Sequence, residues 1–249
     1  MKIVQSVIAL LLFFSCNRSI AEIIVVTTKH EEIQTAYWPQ PDSSAVLIWL
    51  PGGDGSFGIA AKNPPNPIWF LRNLAARDGA PDIVFMDSKY GLGWKGGELS
   101  PRRTSRHIDN VQRVIQYYQE KTGKKIFLLG HSNSSVSVAE YLNASPEHQR
   151  LLAGAIFSAS RNETAVTAPL NLPVLVMVHE KDTNTWTTPG SSVALYEKIK
   201  SNNIAHVEFA YVHGGFDEGN PATSGRHMYA GSLDEAADIV YKFVVGTKK

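Results

Sequence analysis

The sequence predicts an α/β fold with a mostly parallel central sheet, helices on both of its faces and an antiparallel start. Three observations predict it. Short apolar runs recur along the 249 residues, as expected of strands covered on both sides. Segments with apolar residues at three- and four-residue steps lie between some of them. The first two strand-like segments follow one another with no room for a helix, which suits an antiparallel pair.

Ahead of the first strand, Lys2 precedes an apolar run at residues 3–14, shorter than the ~20 residues of a membrane-spanning helix. Ser19 and Ala21 put small residues at the −3 and −1 positions of a cleavage site before Glu22. Residues 1–21 therefore read as a signal peptide, and residues 22–249 as one exported domain, periplasmic or secreted. Cys16 is the only cysteine. A lipid anchor through it is the lesser reading, because the bulky Phe13 and Phe14 precede it. Cleavage after Ala21 leaves no thiol, hence no disulfide, thiolate metal site or cysteine nucleophile.

Residues 23–28 (IIVVTT) and 33–38 (IQTAYW) read as two strands joined by a charged turn at residues 30–32. After a turn at residues 39–42, the run at 45–50 (AVLIWL) suits a strand buried on both faces. Further runs follow at 83–86, 126–130, 153–157, 174–178 and 207–212. Residues 107–121 set Ile108, Val111, Ile115 and Tyr118 on one helical face. Residues 233–245 do the same with Leu233, Ala236, Ala237, Val240, Phe243 and Val244.

With 43% apolar and 19% charged residues, the composition is that of a globular protein rather than a disordered chain. A formal charge of +1 without a basic tail calls for neither nucleic acid nor an anionic membrane, and no membrane span is expected in the mature chain. No repeat, low-complexity tract or interdomain linker interrupts it.

In open parallel sheets, ligands bind at the carboxyl ends of the strands. After the run at 126–130 the chain reads Gly130-His131-Ser132-Asn133-Ser134 and continues as a helix. A sharp strand–turn–helix of this kind lifts a serine hydroxyl out of the sheet, and its crowded backbone requires small residues two before and two after. Gly130 meets that need, while Ser134 stands where the usual motif has glycine. The simpler reading is a serine that caps a helix.

This turn, the glycine-rich stretch 50–58 after an apolar run, and the chain order of Ser132, Asp182 and a late histidine together resemble the α/β-hydrolase superfamily. The likeness is to small esterase-like or dienelactone-hydrolase-like members and spans nearly all of residues 22–249. It implies a serine hydrolase that cleaves an ester, or an amide, through an acyl-enzyme, with Ser132 as nucleophile. It implies oxyanion donors on the backbone near Gly53 or Asp54 and at Asn133. The carboxylate just past the run at 174–178 is the implied acid, Asp182, with Glu180 the alternative. The implied base is a histidine after the last strand: His227, with His213 the alternative, while His131 packs within the turn. The competing function is a catalytically silent scaffold that binds a ligand or partner.

Other patterns weigh less. Gly53, Gly55 and Gly58 spell a dinucleotide-binding motif with Asp78 downstream, but the proline-rich residues 62–67 block the helix that would receive a pyrophosphate. No cofactor is expected. His179, His213, His227, Asp182 and Asp217 lack the spacing of a metal site, and no metal is expected. The loop at 88–106 offers Tyr90 and Trp94 as a cover for the site. Arg102, Arg103, Arg106 and His107 favour either an anionic substrate or simply a solvated helix start.

Overall fold

The computed structural model describes residues 21–56, 69–88, 92, 99–202, 205–219 and 225–247. Residues 1–20 of the expected signal peptide, with Cys16, the third glycine Gly58, the prolines of residues 62–67, and Tyr90 and Trp94 lie outside the described residues.

Eight strands form one sheet: β1 (Glu22–Thr27), β2 (Glu32–Trp38), β3 (Ala45–Leu50), β4 (Asp82–Met86), β5 (Lys125–His131), β6 (Gly154–Ser158), β7 (Val174–His179) and β8 (Val207–Val212). Their order across the sheet is β1-β2-β4-β3-β5-β6-β7-β8. β1 pairs antiparallel with β2, and β2 with β4; every other pairing is parallel. The expected antiparallel start is present. β3, β4, β6 and β7 are buried at every position, which explains their unbroken apolar runs. The edge strands β1 and β8 show Ile23, Val25 and Tyr211 to solvent.

Helices cover both faces. On one side α2 (Ser105–Thr122), α3 (Ser134–Ala144) and α5 (Pro189–Asn202) pack Val111, Ile115, Tyr118, Val138, Tyr141, Leu195 and Ile199 onto the sheet. On the other, α1 (Phe70–Ala75) and α6 (Leu233–Gly246) supply Phe70, Leu71, Leu74, Ala236, Val240 and Phe243. The short α4 (Pro146–Arg150) follows α3. The predicted face of α2 is the buried one, and Thr104 caps the helix by accepting the His107 N–H. Gly123 ends it in the left-handed conformation, φ 66°.

The strand order has one consequence for function. The chain runs from β3 to β4 on one side and returns to place β5 on the other, so β3 and β5 are neighbours with Leu50 opposite Gly130. The loops leaving their carboxyl ends therefore open side by side, at the point where the strand order reverses.

Candidate active site

Ser132 sits between the end of β5 and the start of α3 with φ 57°, in the left-handed region that a side chain seldom occupies. Its N–H donates to the Ser158 carbonyl at 2.9 Å, and its own carbonyl accepts the Ser135 N–H at 3.0 Å and hydroxyl at 2.6 Å. These bonds fix the turn. A Cβ at Gly130 would lie 2.4 Å from the Ser134 carbonyl oxygen, so the small residue expected there is required. Ser134 is accommodated differently: its buried hydroxyl hydrogen-bonds the Leu50 carbonyl and lies 2.8 Å from that of His131, tying α3 back to β3 and β5.

The glycine-rich loop passes directly over Ser132. A Cβ on Gly52 would fall 2.9 Å from the His131 carbonyl oxygen and 3.1 Å from the Ser132 Cβ. Gly53 then turns with φ 56°, and the Gly55 N–H closes the turn on the Gly52 carbonyl at 2.9 Å. The Asn133 side-chain amide donates to the Gly53 carbonyl at 2.8 Å. Among the described residues, the N–H groups of Gly53, Asp54 and Asn133 meet no acceptor. The three expected donors thus lie on two loops joined by one hydrogen bond.

Asp182 and His227 come together across 45 residues of chain: His227 Nδ1 donates to Asp182 Oδ2 at 2.9 Å. Both are buried. The Asn184 N–H donates to Asp182 Oδ1 at 2.9 Å, and the Thr187 hydroxyl to Oδ2 at 3.1 Å. Thr187 Oγ1 also lies 3.1 Å from His227 Nδ1, so it braces both members of the pair. With Nδ1 carrying the proton, Nε2 keeps its lone pair, and it has no hydrogen-bond partner among the described residues. The His227 ring lies 4.9 Å, centre to centre, from that of His131, the residue before Ser132.

Expectations about the other candidates divide. His213 is on the surface, its Nδ1 2.8 Å from Glu235 Oε1. Glu180 pairs with its neighbour Lys181 at 3.7 Å, and no hydrogen bond joins it to a histidine among the described residues. His131 Nδ1 bonds the Ser158 hydroxyl at 2.9 Å, which in turn meets Tyr229 at 2.7 Å; burial and then the neighbouring His227 hold its pKa well below the ordinary range. Asp217 pairs with Arg226, steadying the turn Gly225–Met228 that carries His227.

No family model matches the sequence, and no curated protein does. Solved structures match it in shape. A dienelactone hydrolase from Anabaena variabilis superposes with a TM-score of 0.63 at 11% identity, covering 93% of this chain and 100% of that one. An esterase from Pyrococcus furiosus gives 0.64 at 12% identity, covering 93% and 94%. A serine hydrolase homologue from Coxiella burnetii gives 0.56 at 13% identity, covering 89% and 96%. The chain has the α/β-hydrolase fold.

Two side chains in this α/β-hydrolase fold escaped the sequence reading. Thr187 and Ser158 are hydroxyls in unremarkable positions, legible only once the partners they bridge are known. The arginines after residue 100 separate. Arg103 and Arg106 pair with Glu140 and Glu31 on the surface, as a solvated helix start would. Arg102 does the opposite of both readings, being wholly buried beneath the glycine-rich loop. His107 is buried beside it, and burial followed by the Arg102 charge pushes its pKa down to about 3.

The pair that holds His213 gives a pH test of the fold's edge. The Glu235 carboxylate raises the His213 pKa, chiefly by accepting its ring N–H. Burial pushes the Glu235 carboxyl up, but the His213 ring and backbone donors outweigh it and leave it below its ordinary value. A raised histidine stabilises the fold fully below its ordinary 6.5 and loses that as pH climbs through the raised value. The lowered carboxylate contributes above its ordinary 4.5 and loses that as pH falls through the lowered value. Glu235→Gln keeps an acceptor for the His213 N–H, so its deficit in thermal midpoint is expected to be widest between these two values. By about pH 8–9, where histidine is neutral, it narrows. A deficit that is flat across pH contradicts the pairing.

Proposed function

We propose that the chain is a serine hydrolase that cleaves a carboxylic ester, with Ser132 as nucleophile, His227 as base and Asp182 as its orienting acid. The observation that carries this reading is the left-handed Ser132 at the end of β5 together with a buried His227–Asp182 pair, whose imidazole lies 4.9 Å from the ring of His131, the residue before Ser132, and whose Nε2 has no partner among the described residues. The esterase and dienelactone hydrolase among the similar structures support ester cleavage, and an acylaminoacyl peptidase of comparable likeness supports amide cleavage as the alternative.

In this mechanism Asp182 holds the Nδ1–H of His227, which leaves the Nε2 lone pair free to take the Ser132 proton as Oγ attacks the carbonyl. Negative charge passes to the carbonyl oxygen. The Asn133 N–H, at the start of α3, and a second N–H from Gly53 or Asp54 receive it. These donors belong to backbone already fixed in place, so they need not reorganise as the charge develops. The imidazolium returns its proton to the departing alcohol, and water repeats the sequence on the acyl-enzyme.

A fluorophosphonate probe tests this. One phosphonyl group per chain is expected, found by mass spectrometry on Ser132, with hydrolysis of a chromogenic short-chain ester lost in step. Folded protein that neither labels nor hydrolyses the ester would favour the silent scaffold.

A further inference from the structure

We propose that Arg102 and Asn133 act as a two-point clamp on the Gly53 carbonyl, a pair of positioning residues that aims the oxyanion loop while Arg102 lends it a buried positive charge. This rests on the hydrolase reading above and goes beyond the two donor loops themselves.

The geometry points to it from both sides. Arg102 Nη2 donates to the Gly53 carbonyl at 3.0 Å, and the Asn133 side-chain amide donates to the same oxygen at 2.8 Å. Nη2 also lies 3.5 Å from the Pro51 carbonyl, so the guanidinium spans the loop from beneath. In a trans peptide the C=O and the following N–H point in opposite directions. Holding the Gly53 oxygen therefore fixes the plane that carries the Asp54 N–H, and with it one rim of the turn Gly52–Gly55. Gly53 itself, at φ 56° with no neighbour near its absent Cβ, has no side chain to hold its conformation. The clamp supplies that restraint from outside.

The chemistry of the other partners explains why an arginine stands here. Arg102 is wholly buried, and among the described residues no carboxylate forms an ion pair with it. Its Nη1 donates to the Ser137 hydroxyl at 3.0 Å. Ser137 then gives its own proton to His107 Nε2 at 2.9 Å, an arrangement that requires a neutral imidazole, in keeping with the depressed pKa of His107. Burial also draws the guanidinium's pKa down to about 10, which leaves it charged at neutral pH. The guanidinium thus carries its charge beneath the loop it touches, offset in part through space by the Asp54 carboxylate on that loop, where negative charge gathers in the transition state.

The test measures kcat per active serine, so that loss of folded protein cannot be mistaken for loss of chemistry. Wild type, Arg102→Gln, Arg102→Lys and Asn133→Ala are titrated to completion with the fluorophosphonate probe and assayed on a short-chain ester. Arg102→Gln and Asn133→Ala are each expected to lower kcat per titrated serine by about 10–100-fold with KM little changed, because the donors matter most when charge develops. Arg102→Lys should recover part of the loss through its charge. Affinity for an alkyl boronic acid, which forms a tetrahedral adduct, should fall in parallel. Asn133→Ala removes one side-chain amide and keeps the clamp testable if the arginine variants fail to fold. Wild-type kcat per titrated serine in Asn133→Ala and in every folded Arg102→Gln preparation overturns the clamp. A wild type that neither labels nor turns over overturns the hydrolase reading, and the clamp with it.

Discussion

Ser132→Ala and His227→Ala are each expected to lower kcat for a short-chain ester by about 10⁴–10⁶-fold, and the double variant by hardly more than either alone. On the proposed mechanism the two groups act in one proton transfer, so removing either already removes the step. The structure gives this expectation its force, because neither atom has a competing job. Among the described residues neither Ser132 Oγ nor the buried His227 Nε2 has a hydrogen-bond partner. Residual turnover should persist, since the backbone donors survive both substitutions. Rates are to be measured under single-turnover conditions, with circular dichroism confirming intact folding. Costs that add logarithmically would mean two independent contributions and would contradict a shared transfer.

Gly130→Ala is expected to destabilise the fold by about 3 kcal/mol or more. The added methyl would meet the Ser134 carbonyl oxygen at 2.4 Å and its carbon at 2.7 Å, with the Val138 Cγ2 also at 2.7 Å. Two of these atoms are backbone in the first turn of α3. They cannot retreat without breaking the bonds that hold Ser132 and join Ser134 to the Leu50 and His131 carbonyls. Gly190 provides the control: it lies near the start of α5 with nothing within 4 Å of its missing Cβ, so alanine there should be neutral or mildly stabilising. Guanidinium unfolding followed by circular dichroism compares the two. Equal midpoints for the variants would mean that β5 and α3 do not approach as closely as described.

Much of this was legible in the residues. β3 to β7 stand out as apolar runs because both faces of each are covered, and α2 and α6 show their buried stripes at helical steps. α5 was missed for a physical reason: its buried residues Ser192, Leu195 and Ile199 include only two strongly apolar ones, too few to mark a face. The six-residue α1 is too short for periodicity to emerge. At the site, Ser132 could be read from purely local context, strand to turn to helix. The choice between His213 and His227 could not, because each is defined by a distant carboxylate. One meets Glu235, 22 residues on, and the other Asp182, 45 residues back. Arg102 was hidden most completely. In the segment Ser100–Arg103 it looks like its solvated neighbour Arg103, and only the fold tucks it under Gly53.

The pairing of β3 with β5, Leu50 against Gly130, divides labour within the molecule. The oxygen proposed to attack and the amides proposed to receive the charge are anchored to two adjacent rails, so their mutual alignment depends on very little of the chain. The segments following β6 and β7, where Arg161 stacks on a half-exposed Trp186, are tied to the same site: the Arg161 N–H donates to the Ser135 hydroxyl, and Asp182 and Thr187 hold His227. Their backbone is therefore constrained, and the freedom to vary lies in solvent-facing side chains such as Trp186. On the proposed function, a new substrate preference is within reach of substitutions there that leave the His227–Asp182 pair in place.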